Sequence, residues 1–163
     1  MTDCKSPVDL RSDTVTQPTE AMYECMLKAP LGDDGLDGDP TAEELESGVA
    51  ALLGKEAALF VPSATMGNLA AILAQTARQE LVVTEASSHI YTAERAAATL
   101  TGAFYEPIAG VAGAMNLERL EQVLTEPRGR VRAALVCMET SHNNAGGTAL
   151  PLEHMRQVHD LSR

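Results

Sequence analysis

The sequence predicts an α/β domain of three layers, in which a mostly parallel sheet lies between two layers of helices. From residue 57 to residue 163, apolar runs of strand length alternate with helical patterns, as is typical of parallel sheets. The run at 131–138 is apolar after Arg132, as expected for a strand buried on both faces. With 45% hydrophobic residues, 163 residues suffice for one domain with a sizeable core.

Charge and composition exclude several classes of partner. The net charge is −11, so nucleic acids and anionic membranes would be repelled, and we expect neither as a partner. The sequence contains no apolar run of about 20 residues and its first residues do not resemble a signal peptide, which favours a cytoplasmic protein. Cys4, Cys25 and Cys137 lack the spacing of metal ligands, so we expect reduced thiols and no metal site.

The N-terminal region predicts an arm followed by a helix. Residues 9–18 are too polar for a core strand and too irregular for a helix, so we assign 1–17 to an N-terminal arm and 18–163 to the domain itself. Pro18 suits a first helical position, and an apolar stripe follows before Pro30, which predicts a helix over 18–28.

The acidic segment after this helix allows two interpretations. A glycine and a glutamate stand at the sixth and twelfth places counted from Asp33, as in an EF-hand calcium loop, but the third place is Gly35, which offers no side-chain ligand. Asp39 before Pro40 instead predicts a capped helix start, and Gly54 predicts its end. We therefore favour a helix over 40–53.

The remaining chain predicts four strands alternating with helices, and a glycine-rich turn at 110–113. The expected elements are a strand at 57–61, a helix at 65–78, a strand at 81–84, a helix at 93–100, a strand at 103–106, a helix near 117–124, a strand at 131–138 and a helix from 151 to 163.

Polar clusters mark three points along these elements. They comprise 63–65, 87–89 and 139–143, and each of them follows a predicted strand, with 63–65 also lying just before a helix. Ligands of parallel sheets bind at the carboxyl ends of strands, and a helix N-terminus favours an anion, so together the clusters predict a ligand site. Each residue alone has a plainer interpretation: Ser63 as a helix cap, His89 as a cap or core residue, and His142 as a turn residue.

Five sequence motifs support a family resemblance. They are DLRSDTVT at 9–16, the GDD and DPT ends of the loop 32–41, GKEAALFVPSATMGN at 54–68, SSHIYTAE at 87–94, and METSHNNAGG at 138–147. In this order they resemble the L-threonine aldolases of the β-eliminating lyase group, which are pyridoxal-phosphate enzymes of the aspartate-aminotransferase fold. The resemblance extends from about residue 8 to the end of the chain.

The resemblance implies pyridoxal 5'-phosphate as the cofactor. Its phosphate would lie at Ser63, Ala64 and Thr65, where Ala64 replaces a glycine usual in the family. His89 matches the histidine that stacks on the pyridine ring, and it is a candidate general base.

The resemblance also implies a set of substrate-binding residues. Ser12 matches a serine that holds the substrate carboxylate, and His142 matches a histidine near the substrate hydroxyl, which makes it a second catalytic candidate. Glu94 and Asn143 match polar positions that line the site.

The implied activity is cleavage of a small β-hydroxy amino acid, threonine or allo-threonine, to glycine and acetaldehyde. The implied assembly is a homotetramer or homodimer of the full-length protein. The family's aspartate and Schiff-base lysine motifs would follow Arg163, so the large domain is expected to be incomplete at its C-terminus and inactive as these 163 residues. Another β-eliminating pyridoxal-phosphate lyase, or a non-catalytic interaction protein, remains an alternative.

Overall fold

The computed structural model describes residues 8–9, 12–95, 100–126, 129 and 131–163. These residues belong to two compact units, Met1–Phe60 and Val61–Arg163, and each is described by itself. The boundary predicted after residue 17 stays a prediction. The α-helices are α1 Glu20–Lys28, α2 Pro40–Leu53, α3 Ala64–Gln75, α4 Leu117–Thr125 and α5 Leu152–Leu161. The strands are β1 Leu81–Glu85, β2 Phe104–Ile108, β3 Gly110–Val111, β4 Ala114–Met115 and β5 Ala133–Cys137.

The first unit confirms both predicted helices and, for α2, the position of its caps. The helix α1 begins two residues later than predicted, because Thr19 caps it by accepting a hydrogen bond from the N–H of Met22. The carboxylate of Asp39 accepts from the N–H groups at positions 41 and 42, and Gly54 ends α2 in the left-handed conformation, at φ +62°. Asp39 is therefore a helix cap, as the sequence indicated, rather than a calcium ligand.

The strand predicted at 57–61 is wrong. None of the described residues forms a ladder with this segment, and the N–H of Phe60 donates to Glu46 Oε1 at 2.7 Å instead. An apolar run becomes a strand only when a second strand satisfies its backbone groups, and the run itself cannot supply that partner.

The second unit is built on a parallel sheet in the order β2, β1, β5. Its central strand, β1, is buried along its whole length. The strand β5 was predicted to be buried on both faces, but it lies at one edge of the described sheet and is only half-buried. Cys137 is half-buried in this strand, and burial raises the pKa of its thiol to about 11.

Helices cover both faces of the sheet, which confirms the predicted three layers. Val83 of β1 packs with Leu120 of α4 and Val158 of α5 on one face. The neighbouring side chain, Val82, points to the opposite face and packs with Ile72 of α3. The alternation of side chains along β1 therefore divides the core into two layers.

Other boundaries differ from the predictions. The helix expected at 93–100 corresponds partly to a single π-helical turn, Ile90–Glu94, while 96–99 lie outside the described residues. The predicted glycine-rich turn is the tip of an antiparallel hairpin formed by β3 and β4. Among the described residues, no helix combines the length and the apolar character that crossing a membrane requires.

Candidate functional site

The predicted site is formed by the start of α3 and by the loops that follow β1 and β5. The α3 end is exposed over 62–66. Ser63 Oγ accepts a hydrogen bond from the N–H of Met66 at 3.2 Å, which confirms its role as the helix cap. The N–H groups of Ala64 and Thr65 are the first two of the helix, so they have no acceptor within it. Free donors at the positive end of a helix suit a phosphate.

The loop after β1 joins α3 through a buried carboxylate. Glu94 Oε1 accepts a hydrogen bond from Asn68 Nδ2 of α3 at 3.0 Å and lies 2.7 Å from His89 Nδ1. The side chain of Glu94 is 8% exposed, whereas that of His89 is 45% exposed. A proton on Nδ1 satisfies the carboxylate, and this tautomer places the ring's lone pair on Nε2. The half-exposed ring can therefore accept a proton from a ligand.

The loops after β1 and β5 are joined by Glu139. Its Oε2 accepts from the backbone N–H of His89 at 2.5 Å, and its Oε1 accepts from the N–H of Asn143 at 2.7 Å. Sequence reasoning included Glu139 in a polar cluster but gave it no role. Its position two residues after the end of β5 was the available signal, because such positions lie at the ligand end of a parallel sheet.

Asn144 adds a second connection between these two loops, and sequence reasoning missed it as well. Its Nδ2 donates to the carbonyl oxygen of Ser87 at 2.6 Å and to Thr92 Oγ1 at 3.2 Å. The loop after β5 is thus held against the loop after β1 at two points.

His142 is buried, in contrast to His89. Its side chain is 0% exposed, and Nε2 lies 3.0 Å from Glu85 Oε2 at the end of β1. Nδ1 has no hydrogen-bond partner among the described residues, and Glu139 Oε1 is 4.0 Å away. In this structure the His142 side chain lies in the interior of the second unit.

The carboxylate that holds His142 is ionised. Burial by itself raises the pKa of Glu85, but hydrogen bonds from the side chain and backbone of Ser87, both 2.7 Å, and from His142 outweigh it, so the pKa lies below its usual value. Glu85 is therefore a charged acceptor, and the proton between the two side chains belongs to His142 Nε2.

The structure thus brings together most of the predicted site residues within the second unit. Glu94 contacts His89 directly, and Asn143 is linked to His89 through Glu139. Ser12 lies in the first unit, where its Oγ is 2.9 Å from Thr14 Oγ1. The roles assigned to all these residues stay predictions. No group of three or more His, Cys, Asp or Glu side chains in the described part of the chain is arranged to hold a metal ion.

Comparison with known proteins identifies related sequences and folds. The family model for beta-eliminating lyases matches residues 9–163. Low-specificity L-threonine aldolase 1 of Arabidopsis thaliana is 40% identical over 96% of this chain and 45% of its own length. The low specificity L-threonine aldolase of Escherichia coli K12 is 36% identical over 96% of this chain and 47% of its own.

The fold is similar to that of a solved structure. That of Leishmania major threonine aldolase has a TM-score of 0.69 and 22% identity, covering 86% of this chain and 41% of that one. The chain spans about half the length of the curated relatives it matches.

Proposed function

This chain belongs to the beta-eliminating lyase family, and we propose that the full-length protein is a pyridoxal-phosphate-dependent aldolase that cleaves threonine or allo-threonine to glycine and acetaldehyde. The observation that supports this most is one continuous hydrogen-bonded series, from Asn68 of α3 through Glu94, His89 and Glu139 to Asn143. It joins the start of α3, which would bind the phosphate, to His89, whose Nε2 can accept a proton.

The residues of this series fit the proposed cofactor. The N–H groups that begin α3, with the hydroxyl of Thr65, would bind the phosphate. Ala64 stands where the family usually has a glycine, and its added methyl group leaves its backbone N–H available to the phosphate. When bound, pyridoxal phosphate supplies an electron sink for the bond that breaks at the substrate Cα.

His89 would act as the general base. Its Nε2 would take the proton of the substrate β-hydroxyl, the C–O bond would become the aldehyde carbonyl, and the Cα–Cβ bond would break. Glu94 would hold the ring through Nδ1 and so keep the lone pair on Nε2, and Glu139 would fix the backbone on which the ring is carried. After Cα takes a proton, glycine is released with acetaldehyde.

The finer features of this proposal follow from the family resemblance. They are pyridoxal 5'-phosphate as the bound cofactor, a β-hydroxy amino acid as the substrate, a cytoplasmic location, and a homotetramer or homodimer. Ser12 and Asn143 would contact the substrate, and His142 would lie near its hydroxyl.

The proposal is tested by the products that the full-length protein forms with pyridoxal phosphate. We expect acetaldehyde and glycine in equal amounts from threonine or allo-threonine, measured by reduction of the aldehyde and by amino-acid analysis. Elimination from tryptophan or cysteine without cleavage of threonine would assign the protein to a different lyase reaction. Absence of both reactions would favour the non-catalytic alternative.

A further inference from the structure

The carboxylate of Glu94 receives two hydrogen bonds on a single oxygen. Its Oε1 accepts from Asn68 Nδ2 at 3.0 Å and lies 2.7 Å from His89 Nδ1, and the Glu94 side chain is 8% exposed. Among the described residues, these two side chains are the hydrogen-bond partners of the carboxylate. A carboxylate withdrawn from water is held in place by its donors, so the orientation of Glu94 depends on Asn68 as well as on His89.

The contact between Glu94 and His89 depends on the π-helical turn that joins them. The two residues are five positions apart in sequence, and five residues of an α-helix would place them about 140° apart around its axis. The turn Ile90–Glu94 is π-helical, and a π-helix pairs residues that are five apart. Glu94 therefore returns to the side of the turn on which the His89 ring lies, where a donor from another element can fix it.

That donor comes from the helix whose first N–H groups would bind the phosphate. The helix α3 begins at Ala64, and Asn68 is four residues later, so the two lie on the same side of the helix, about 6 Å apart along its axis. Asn68 is half-buried, and its side chain reaches the end of the π-helical turn. One helix therefore carries both the proposed phosphate donors and the donor to Glu94. Sequence reasoning included Asn68 in a motif but gave it no role.

We propose that Asn68 is a positioning residue for the candidate base. It orients the Glu94 carboxylate so that this carboxylate accepts the Nδ1 proton of His89 and the lone pair stays on Nε2. Asn68 acts through Glu94, and α3 thereby fixes the position of the base relative to the phosphate. The inference rests on the proposed function for its catalytic consequence, whereas the effect on the His89 ring can be measured without activity.

The first test determines the tautomer of His89 in the full-length protein without cofactor, by NMR of protein labelled at the histidine ring nitrogens. The spectra are recorded at about pH 8, where an ordinary imidazole is neutral, and the His89 signals are identified by their loss in His89→Gln. We expect the Nδ1–H form in the unsubstituted protein. Asn68→Ala should convert about half of it or more to the Nε2–H form, because Glu94 is no longer held at Nδ1. An unchanged tautomer in the folded variant would overturn the proposal.

The second test exchanges the two side chains at constant size, so it remains decisive if Asn68→Ala fails to fold. Asn68→Asp removes the donor and sets a second carboxylate against Glu94, and kcat for threonine should fall about tenfold or more. Glu94→Gln supplies an amide nitrogen that can donate to the new carboxylate and keeps an oxygen that can accept from His89. In the Glu94→Gln background, Asn68→Asp should therefore lower kcat by less than about threefold. Equal losses in both backgrounds would show that Asn68 acts independently of Glu94 and would overturn the proposal.

Gln75→Glu is the matched control for the added charge. It also replaces an amide of α3 by a carboxylate, but Gln75 is exposed and donates to the carbonyl oxygen of Ala71 in its own helix at 3.1 Å. We expect the His89 tautomer and kcat to stay unchanged in this variant. A change as large as that of Asn68→Asp would attribute the effect to the charge of the helix and would contradict the positioning role.

These readouts separate the inference from the proposed activity. A protein that cleaves no threonine but changes its His89 tautomer in Asn68→Ala would overturn the proposed function alone. An active aldolase whose His89 tautomer is the same with and without the Asn68 amide would overturn the inference alone.

Discussion

His89 and His142 follow neighbouring strands and each meets a glutamate, yet the two surroundings differ. His89 is 45% exposed and gives Nδ1 to Glu94 at 2.7 Å, whereas His142 is 0% exposed and gives Nε2 to Glu85 at 3.0 Å. The first arrangement leaves a lone pair on the outer nitrogen of an accessible ring. In the second arrangement, Nε2 is itself hydrogen-bonded to a carboxylate inside the protein. The same pair of side-chain types therefore leaves an accessible proton acceptor in one place and forms a buried hydrogen bond in the other.

The strongest test asks whether the His89 arrangement suffices without an amine at the cofactor. The lysines of this sequence are Lys5, Lys28 and Lys55, and the unit Val61–Arg163, which contains both histidines, has none. We expect the 163-residue chain to release no measurable glycine from threonine, because covalent binding of the cofactor needs a lysine held at its aldehyde.

Borohydride reduction with pyridoxal phosphate, followed by peptide mapping, checks this expectation. Labelling should be weak and spread over the exposed lysines. Stoichiometric labelling of one lysine, together with glycine release, would show that these residues form a complete catalytic site.

His89→Ala in the full-length protein should separate catalysis from cofactor binding. Loss of a general base lowers turnover by about 10²-fold to 10⁴-fold. We expect kcat for threonine to fall within this range, with a change of less than about tenfold in the dissociation constant of pyridoxal phosphate. Turnover close to that of the unsubstituted enzyme would make His89 a structural residue, and the contrast with His142 would disappear.

Stability should show the opposite order for the two histidines. His142→Ala leaves the buried carboxylate of Glu85 without one of its donors, and breaking a buried pair costs about 3 kcal/mol of unfolding free energy. His89→Ala removes a half-exposed ring, for which we expect a loss below about 1 kcal/mol. Urea unfolding of both variants measures the difference. Equal losses would indicate that the burial of His142 contributes nothing to the fold.

The sequence predicted the elements whose causes are local and missed the contacts whose causes are distant. Asp39 and Gly54 fix the two ends of α2 through hydrogen bonds and backbone conformation within a few residues of each end, so α2 was predicted in full. The segment 57–61 has the composition of a strand, but strand formation depends on a partner elsewhere in the chain.

The site shows the same division. The cap at Ser63 is a local feature and was found. The Glu139 bond to His89 spans 50 residues and the Glu85 bond to His142 spans 57, and no periodicity in the sequence encodes either pairing. Both histidines had equal standing in the motifs, and only burial distinguishes them.

Thr65→Val tests whether the exposed start of α3 binds a phosphate. Valine keeps the shape of threonine and removes its hydroxyl at an exposed position, so the protein should remain folded. Loss of one hydrogen bond to a charged group costs roughly 1.5 kcal/mol, which corresponds to an increase of about tenfold in the dissociation constant of pyridoxal phosphate. Equal dissociation constants for the two proteins would show that Thr65 does not bind the phosphate. His142→Val, a change at a buried residue, should instead lower the free energy of unfolding.

The smallest expected effect concerns the acid stability that Glu85 provides. Its pKa is lowered in the folded protein, because the hydrogen bonds from Ser87 and His142 outweigh burial, which alone would raise it. A carboxyl group with a depressed folded pKa binds its proton more readily when unfolded. Its contribution is therefore complete above the unfolded pKa of about 4.3 and is lost as the pH falls through the lower folded pKa. In Glu85→Gln this dependence should vanish, so that between about pH 4.3 and the lower folded pKa of Glu85, acid unfolding of the full-length protein takes up fewer protons than it does in the unsubstituted protein. Glu118→Gln, which removes an exposed carboxyl group at the start of α4, is the control and should retain the original slope. Identical slopes for Glu85→Gln and the unsubstituted protein would mean that Glu85 does not carry the buried charge that holds His142.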